Sequence, residues 1–183
     1  MVTAHSVYCM DCINLNPVGI ETPVSSTAYA TTAEQAYQPQ GQIHATEIRR
    51  TEMYVPENYG QKPFEYWTSI TDPASDAYRI LHGAKTFEND GTITIDGYTA
   101  VAMSQKYGRP GDRFSILLTS GKWMHVIIAD AKRTYDTDGY VAKSNRHIIE
   151  MIVWNVPSKA RGTLCYGELP QYSGEVTKIY KET

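Results

Sequence analysis

The chain has no excess of positive charge. Its 183 residues carry 17 Lys and Arg against 20 Asp and Glu, so the basic face that nucleic-acid binding requires is not available. Long apolar runs are also missing. None approaches the roughly 20 residues that span a bilayer, and the opening MVTAHSVYCMDCINL has neither the basic start nor the apolar centre of a signal peptide. The expectation is a soluble protein that contacts neither membrane nor nucleic acid. Without an export signal, it would reach a cell exterior by lysis, on a particle, or as part of a longer secreted precursor.

Cysteine is scarce. Cys9, Cys12 and Cys165 cannot all pair within one chain. Cys9 and Cys12 have CxxC spacing, but no second CxxC follows and only His5 lies close in sequence, so incidental thiols of a tail outweigh a metal or redox pair. His82, His125 and His147 show no HxxxH or HxH spacing. No GxSxG, Walker loop or dinucleotide fingerprint is present. The DTDG run at 136–139 has acidic residues at calcium-loop spacing without the remaining ligands, and a solvated turn is the better reading. Neither metal nor cofactor is expected.

Phe and Trp are few as well, three each against fourteen Tyr, a mixture that suits half-wet β-surfaces better than a thick helical core. Residues 1–62 are rich in Thr, Ala, Gln, Pro and Ser, with too little apolar surface to offset the entropy of ordering them, and read as an extended arm or linker. Within that arm, residues 45–53 fit either a strand or a helical turn. Residues 63–183 read as one domain. SDAYRILH at 75–82 places Ala77, Ile80 and Leu81 at helical spacing, with Asp72 or Ser75 as N-cap and Gly83 as stop. Short strands follow at 92–97, 98–103, 113–119, 123–129 and 147–154, separated by turn signals at Asp96-Gly97, 108–112 and Ser120-Gly121, and residues 176–180 supply a closing strand. Strands so spaced, with no sizeable helices between them, suggest a small barrel.

Two carboxylates interrupt the apolar pattern. Strict alternation along 123–130 puts Asp130 on the face of Met124, Val126 and Ile128, with His125 on the opposite face, and alternation along 147–154 groups Glu150 with Ile148, Ile152 and Trp154. An acid set among aliphatic groups, with a second acid nearby, is the arrangement that makes a general acid. The same positions also suit carboxylates that accept hydrogen bonds from turn amides.

The ordered series AVAM (100–103), YGRPGDRFSI (107–116), VIIAD (126–130) and IIEMI (148–152) resembles the double-psi β-barrel of three-aspartate domains. With YWTSIT at 66–71, Ser75, Tyr78 and Leu81 ahead of it, the chain resembles more closely a group of uncharacterised domains of Gram-positive bacteria and their phages. The likeness runs from Phe64 to Tyr180. It implies a mainly β fold, a six-stranded double-psi barrel with one or two short helices behind an extended N-terminal arm. By resemblance to lytic transglycosylases and resuscitation-promoting factors, it assigns Asp130 the role of acid and base on peptidoglycan and Glu150 that of the second carboxylate. Where three-aspartate domains read Asp-Thr-Gly, this chain reads Asp130-Ala131-Lys132.

The expected function is cleavage of peptidoglycan glycan strands, in an extracellular, cell-wall or virion setting. Tyr98, Tyr107, Trp123 and Tyr135 are candidates for stacking on sugar rings, although packing accounts for each equally well. Two readings compete with the enzyme. One is a phage tail, baseplate or other virion subunit that uses the barrel as scaffold and the arm to bind its neighbours; the other is a carbohydrate-binding module marked by an exposed row of aromatic rings.

Overall fold

The computed structural model describes residues 48–183. Cys9, Cys12 and the first 47 residues of the expected arm lie outside the described residues. The fold is mainly β, with two short helices among the described residues. Nine strands form one mixed sheet: β1 (Arg50–Met53), β2 (Phe64–Tyr66), β3 (Thr86–Phe87), β4 (Ile93–Ile95), β5 (Tyr98–Ser104), β6 (Arg113–Leu118), β7 (Trp123–Lys132), β10 (Glu150–Val153) and β11 (Val176–Glu182). β8 (Thr137–Asp138) and β9 (Val141–Ala142) make a separate hairpin. The helices are α1 (Asp76–His82) and α2 (Ser158–Thr163).

The main path runs β1-β11-β6-β7-β5-β10-β2, and β4 and β3 branch from β5. The motif series implies six strands closing on one another; the pairing is instead an open path of seven strands with a two-strand branch. β5 lies parallel to β7, and β2 lies parallel to β10.

Residues 48–62, assigned to the arm by composition, belong to the folded unit. Of residues 45–53, read as either a strand or a helical turn, Arg50–Met53 form strand β1, antiparallel to β11, and 45–47 lie outside the described residues. Asn58 exchanges hydrogen bonds with the Val176 backbone as a strand partner would: its Nδ2 donates to Val176 O at 3.0 Å, and Val176 N donates to its Oδ1 at 3.1 Å. The Lys62 side chain is buried, with its ammonium donating to Gly60 O at 3.0 Å and Gly174 O at 2.7 Å. Apart from the local Lys62–Gly60 bond, these contacts join residues more than 100 positions apart, which is why local composition does not reveal them.

β5 is buried on both faces, as expected of the central strand of a mixed sheet. Val101 and Met103 enter the larger core with Phe114, Ile116, Val126, Ile128, Met151 and Ile179. Ala100 and Ala102 enter a smaller core with Ile127, Ala129, Ile152, Ile93 and Leu81 of α1. The alanines leave room for that helix to approach. α1 forms as its sequence predicts: Ser75 Oγ accepts from Tyr78 N at 3.1 Å, Ala77 and Leu81 face inward, and Gly83 ends it. At the other end of the sheet Gly91 has φ +84°, and a Cβ there would fall 2.1 Å from Asn155 O, so the turn that seats β10 requires glycine.

Candidate functional site

Register decides which side chains meet. Along β5 and β7, Val101 pairs with Ile128 but Ala102 pairs with Asp130, so β7 carries an extra residue, a β-bulge at Ala129. The insertion reverses alternation beyond it. Asp130 therefore leaves the Met124, Val126 and Ile128 face expected from the sequence and joins Ile127 on the face that packs under α1, which is also the face of Trp123 and His125. His125 remains remote along the strand, bonded to Ser115 Oγ at 3.0 Å.

β10 pairs with the other edge of β5, and there Glu150 is the partner of Ala102. One row across three strands thus reads Asp130, Ala102, Glu150, with all three side chains on one face and the two acids about 9–10 Å apart at Cα by strand spacing. Glu150 opens β10 rather than sitting within a longer strand, and Ile148, grouped with it by alternation, is buried in the other core. Ile152 alone of its expected companions lies in the core beneath the acids.

The two acids of the row line a cleft of about 590 Å³. Its far wall is the turn after β2 together with the start of α1, contributing Ser69, Ile70, Asp72 and Ser75. Its near wall is the end of β7 and the following turn, with Lys132, Arg133 and Tyr135. The acids have different partners. Lys132 Nζ pairs with Glu150 Oε2, whereas no hydrogen bond or ion pair among the described residues engages the Asp130 carboxylate, which is half-buried at the rim. Lys132 is therefore the counter-ion of the second acid.

Behind Glu150 lies His147, a residue the sequence reading left without a role. Its Nδ1 is bonded to Asn145 Oδ1, which fixes the tautomer with the proton on Nδ1. Nε2 is then a bare acceptor, buried, without a hydrogen-bond partner, and 4.0 Å from Glu150 Oε2. Burial first, and the Lys132 ammonium second, push the His147 pKa down to about 3, so the ring is neutral at physiological pH. No signal in the sequence singles out His147: Asn145 and Glu150 are near neighbours in the chain, but the burial of the ring and the approach of Lys132 come from the fold.

The four aromatic candidates divide. Tyr135 is exposed and lines the cleft. Tyr107 is corrected to a core residue: it is 2% exposed, sits edge-on to Tyr140, and its hydroxyl donates to Tyr54 O at 3.2 Å, so it has no free face for a ligand. Tyr98 and Trp123 lie away from the cleft. Tyr98 OH donates to Glu182 Oε2 at 2.7 Å, with the Arg113 guanidinium 4.9 Å from its ring, and Trp123 packs beside Tyr180. Among the described residues, no group of three or more His, Cys, Asp or Glu side chains converges to hold a metal ion, and no helix is long and apolar enough to cross a membrane. Cys165 is a free, half-buried thiol whose Sγ accepts from Lys62 N and Gly167 N. No protein-family model, curated protein or solved structure matches this chain.

Proposed function

We propose that the Asp130 cleft acts on peptidoglycan glycan strands in the manner of a lytic transglycosylase, within a sheet of double-psi barrel type. The observation that carries the reading is the asymmetry of the two acids of the row: Glu150 is paired with Lys132, and Asp130 has no partner among the described residues, in a cleft lined by Ser69, Thr71 and Ser75 together with Glu65, Asp72 and Asp136. Most glycoside hydrolases need two working carboxylates, one of them to hold a water or attack the sugar. One unpaired acid in the row, with its neighbour tied to Lys132, suits intramolecular attack instead. Protonated Asp130 would donate to the glycosidic oxygen between N-acetylmuramic acid and N-acetylglucosamine as the C1–O bond breaks. The resulting carboxylate would take the proton of the muramoyl 6-hydroxyl as that oxygen bonds to C1, giving a 1,6-anhydro product and regenerating the acid. The parallel β5/β7 and β2/β10 pairs support the barrel reading, because a double-psi arrangement interleaves strands in that way.

The experiment is incubation of the protein with purified peptidoglycan and mass spectrometry of the soluble products. Anhydromuropeptides are expected, falling about 10²- to 10⁴-fold in Asp130→Asn. Equal product from the variant removes Asp130 from the mechanism. One observation favours a second reading, a non-catalytic virion subunit: the Lys132–Glu150 pair links the end of β7 to the start of β10 beside Asp130. Absence of any product from the wild-type protein, together with its recovery in purified phage particles, is the result that reading expects.

A further inference from the structure

A second feature adjoins the cleft and was not among the sequence candidates. From α1 a chain of rings runs across the surface: Tyr78 stacks on His82 at 3.6 Å, His82 lies 5.0 Å from Trp67, Trp67 lies 6.2 Å from Phe87, and Phe87 lies 5.5 Å from Trp154. Five residues scattered between positions 67 and 154 supply this stripe, so only folding assembles it. Phe87 and Trp154 remain 48% and 41% exposed, too open for core packing to account for their position. The Trp154 ring is held in place by Nε1 donating to Glu88 O at 3.0 Å.

The stripe also carries a cation. Lys85 Nζ lies 4.7 Å from the Trp67 ring centroid and 5.8 Å from that of Phe87. Its side chain is half-buried, and among the described residues no carboxylate stands within ion-pair distance of it. The stripe is continuous with the cleft. Trp67 begins the turn that places Ser69 and Ile70 on the cleft wall, and Tyr78 follows Ser75 and Ala77 on α1.

We propose that this stripe binds an acidic, N-acetylated glycan that continues from the Asp130 cleft, with Phe87 and Trp154 stacking on sugar rings and Lys85 taking a lactyl or stem-peptide carboxylate. The proposal rests on the reading of the cleft as glycan-directed and names where the strand continues beyond it. A pyranose ring offers an apolar C–H face that matches the negative face of an aromatic ring. The unpaired ammonium adds what a neutral polysaccharide would not use, a preference for the muramoyl units that bear carboxylates.

The test separates binding from turnover. The full chain carrying Asp130→Asn is titrated calorimetrically with two probes, soluble uncross-linked peptidoglycan fragments and a neutral oligomer of N-acetylglucosamine. Phe87→Ala and Trp154→Ala should each weaken binding of both probes by about tenfold or more, as loss of an aromatic anchor does. Trp154→Phe should restore most of the affinity and guards against a folding defect. Lys85→Gln should weaken the muramoyl probe roughly three- to tenfold, an effect that fades at high salt, and leave the neutral oligomer unchanged. Wild-type affinity for the fragments in all the ring variants, or in Lys85→Gln, overturns the proposal and leaves the stripe as a face for another protein. Failure of the cleft reading looks different: no anhydro product from the wild-type chain while binding still depends on the rings.

Discussion

Burial changes how His147 and Lys62 titrate, and each makes the fold respond to pH. With the His147 pKa down at about 3 from the usual 6.5, the unfolded chain binds a proton between those limits that the folded chain refuses. Stability therefore falls as pH drops from 6.5 towards 3. Urea midpoints at pH 6.5 and 4 should show an acid loss in the wild type that exceeds that of His147→Gln by an amount on the order of 3 kcal/mol. Lys62 behaves as the basic counterpart. Burial lowers its pKa from 10.5 to about 8, although Cys165 acts in the opposite direction. Between pH 8 and 10.5 the folded amine is neutral while the unfolded one is charged, so this group adds stability as pH rises through that window. Subtracting the profile of Lys62→Met from that of the wild type cancels the tyrosines, and the difference should grow by about 3 kcal/mol across it. A flat difference would mean that the ammonium is already fully compensated by Gly60 O and Gly174 O.

At the scale of elements, α1 was legible and the row of acids was only half legible. The helix is only seven residues long and marginal by itself, so its cap and inward residues set its boundaries, and all of these are local. Ser75→Ala should lower stability by about 1 kcal/mol, read as a lower thermal midpoint, while α1 keeps its place through Ala77 and Leu81. Asp130 and Glu150 stood out because an acid in an apolar run is conspicuous in sequence. Their facing was another matter. Alternation assumes an unbroken ladder, and the bulge at Ala129 adds one residue that no periodicity reports, turning Asp130 from the larger core to the cleft. Of the two accounts that the sequence left open for Tyr107, packing is the one its burial matches, for a related reason. A tyrosine beside a turn reads as wet, yet this one is closed in by Tyr54 and Tyr140, which come from distant segments.

At the scale of the molecule, the last strand is the most consequential. β11 lies between β1 and β6, so the sheet cannot be completed until residue 182 is in place. Glu182 fastens it there. Burial would raise the Glu182 pKa, but hydrogen bonds from Ser115 and Tyr98 and the charge of Arg50 bring it below the usual carboxylate range. Its contribution is therefore present above the unfolded pKa and lost as pH falls through the folded one. Deleting residues 176–183 removes β11, strands β1 and exposes one edge of β6, and circular dichroism should show no cooperative thermal transition. A sharp transition in the truncated chain would mean that the remaining strands form a core of their own.

By itself the sequence determined that the protein is built mainly of short strands with a capped helix ahead of them, because alternation, turn residues and caps act between neighbours only a few positions apart. It also determined which acids interrupt the apolar pattern. Tertiary structure decided the rest: the open order of the sheet, the entry of residues 48–62 into the fold, the pairing of Glu150 with Lys132 that leaves Asp130 alone, and the assembly of Trp67, Phe87 and Trp154 into one stripe. Each of these depends on register and on contacts between segments far apart in the chain, and a local pattern carries no record of either.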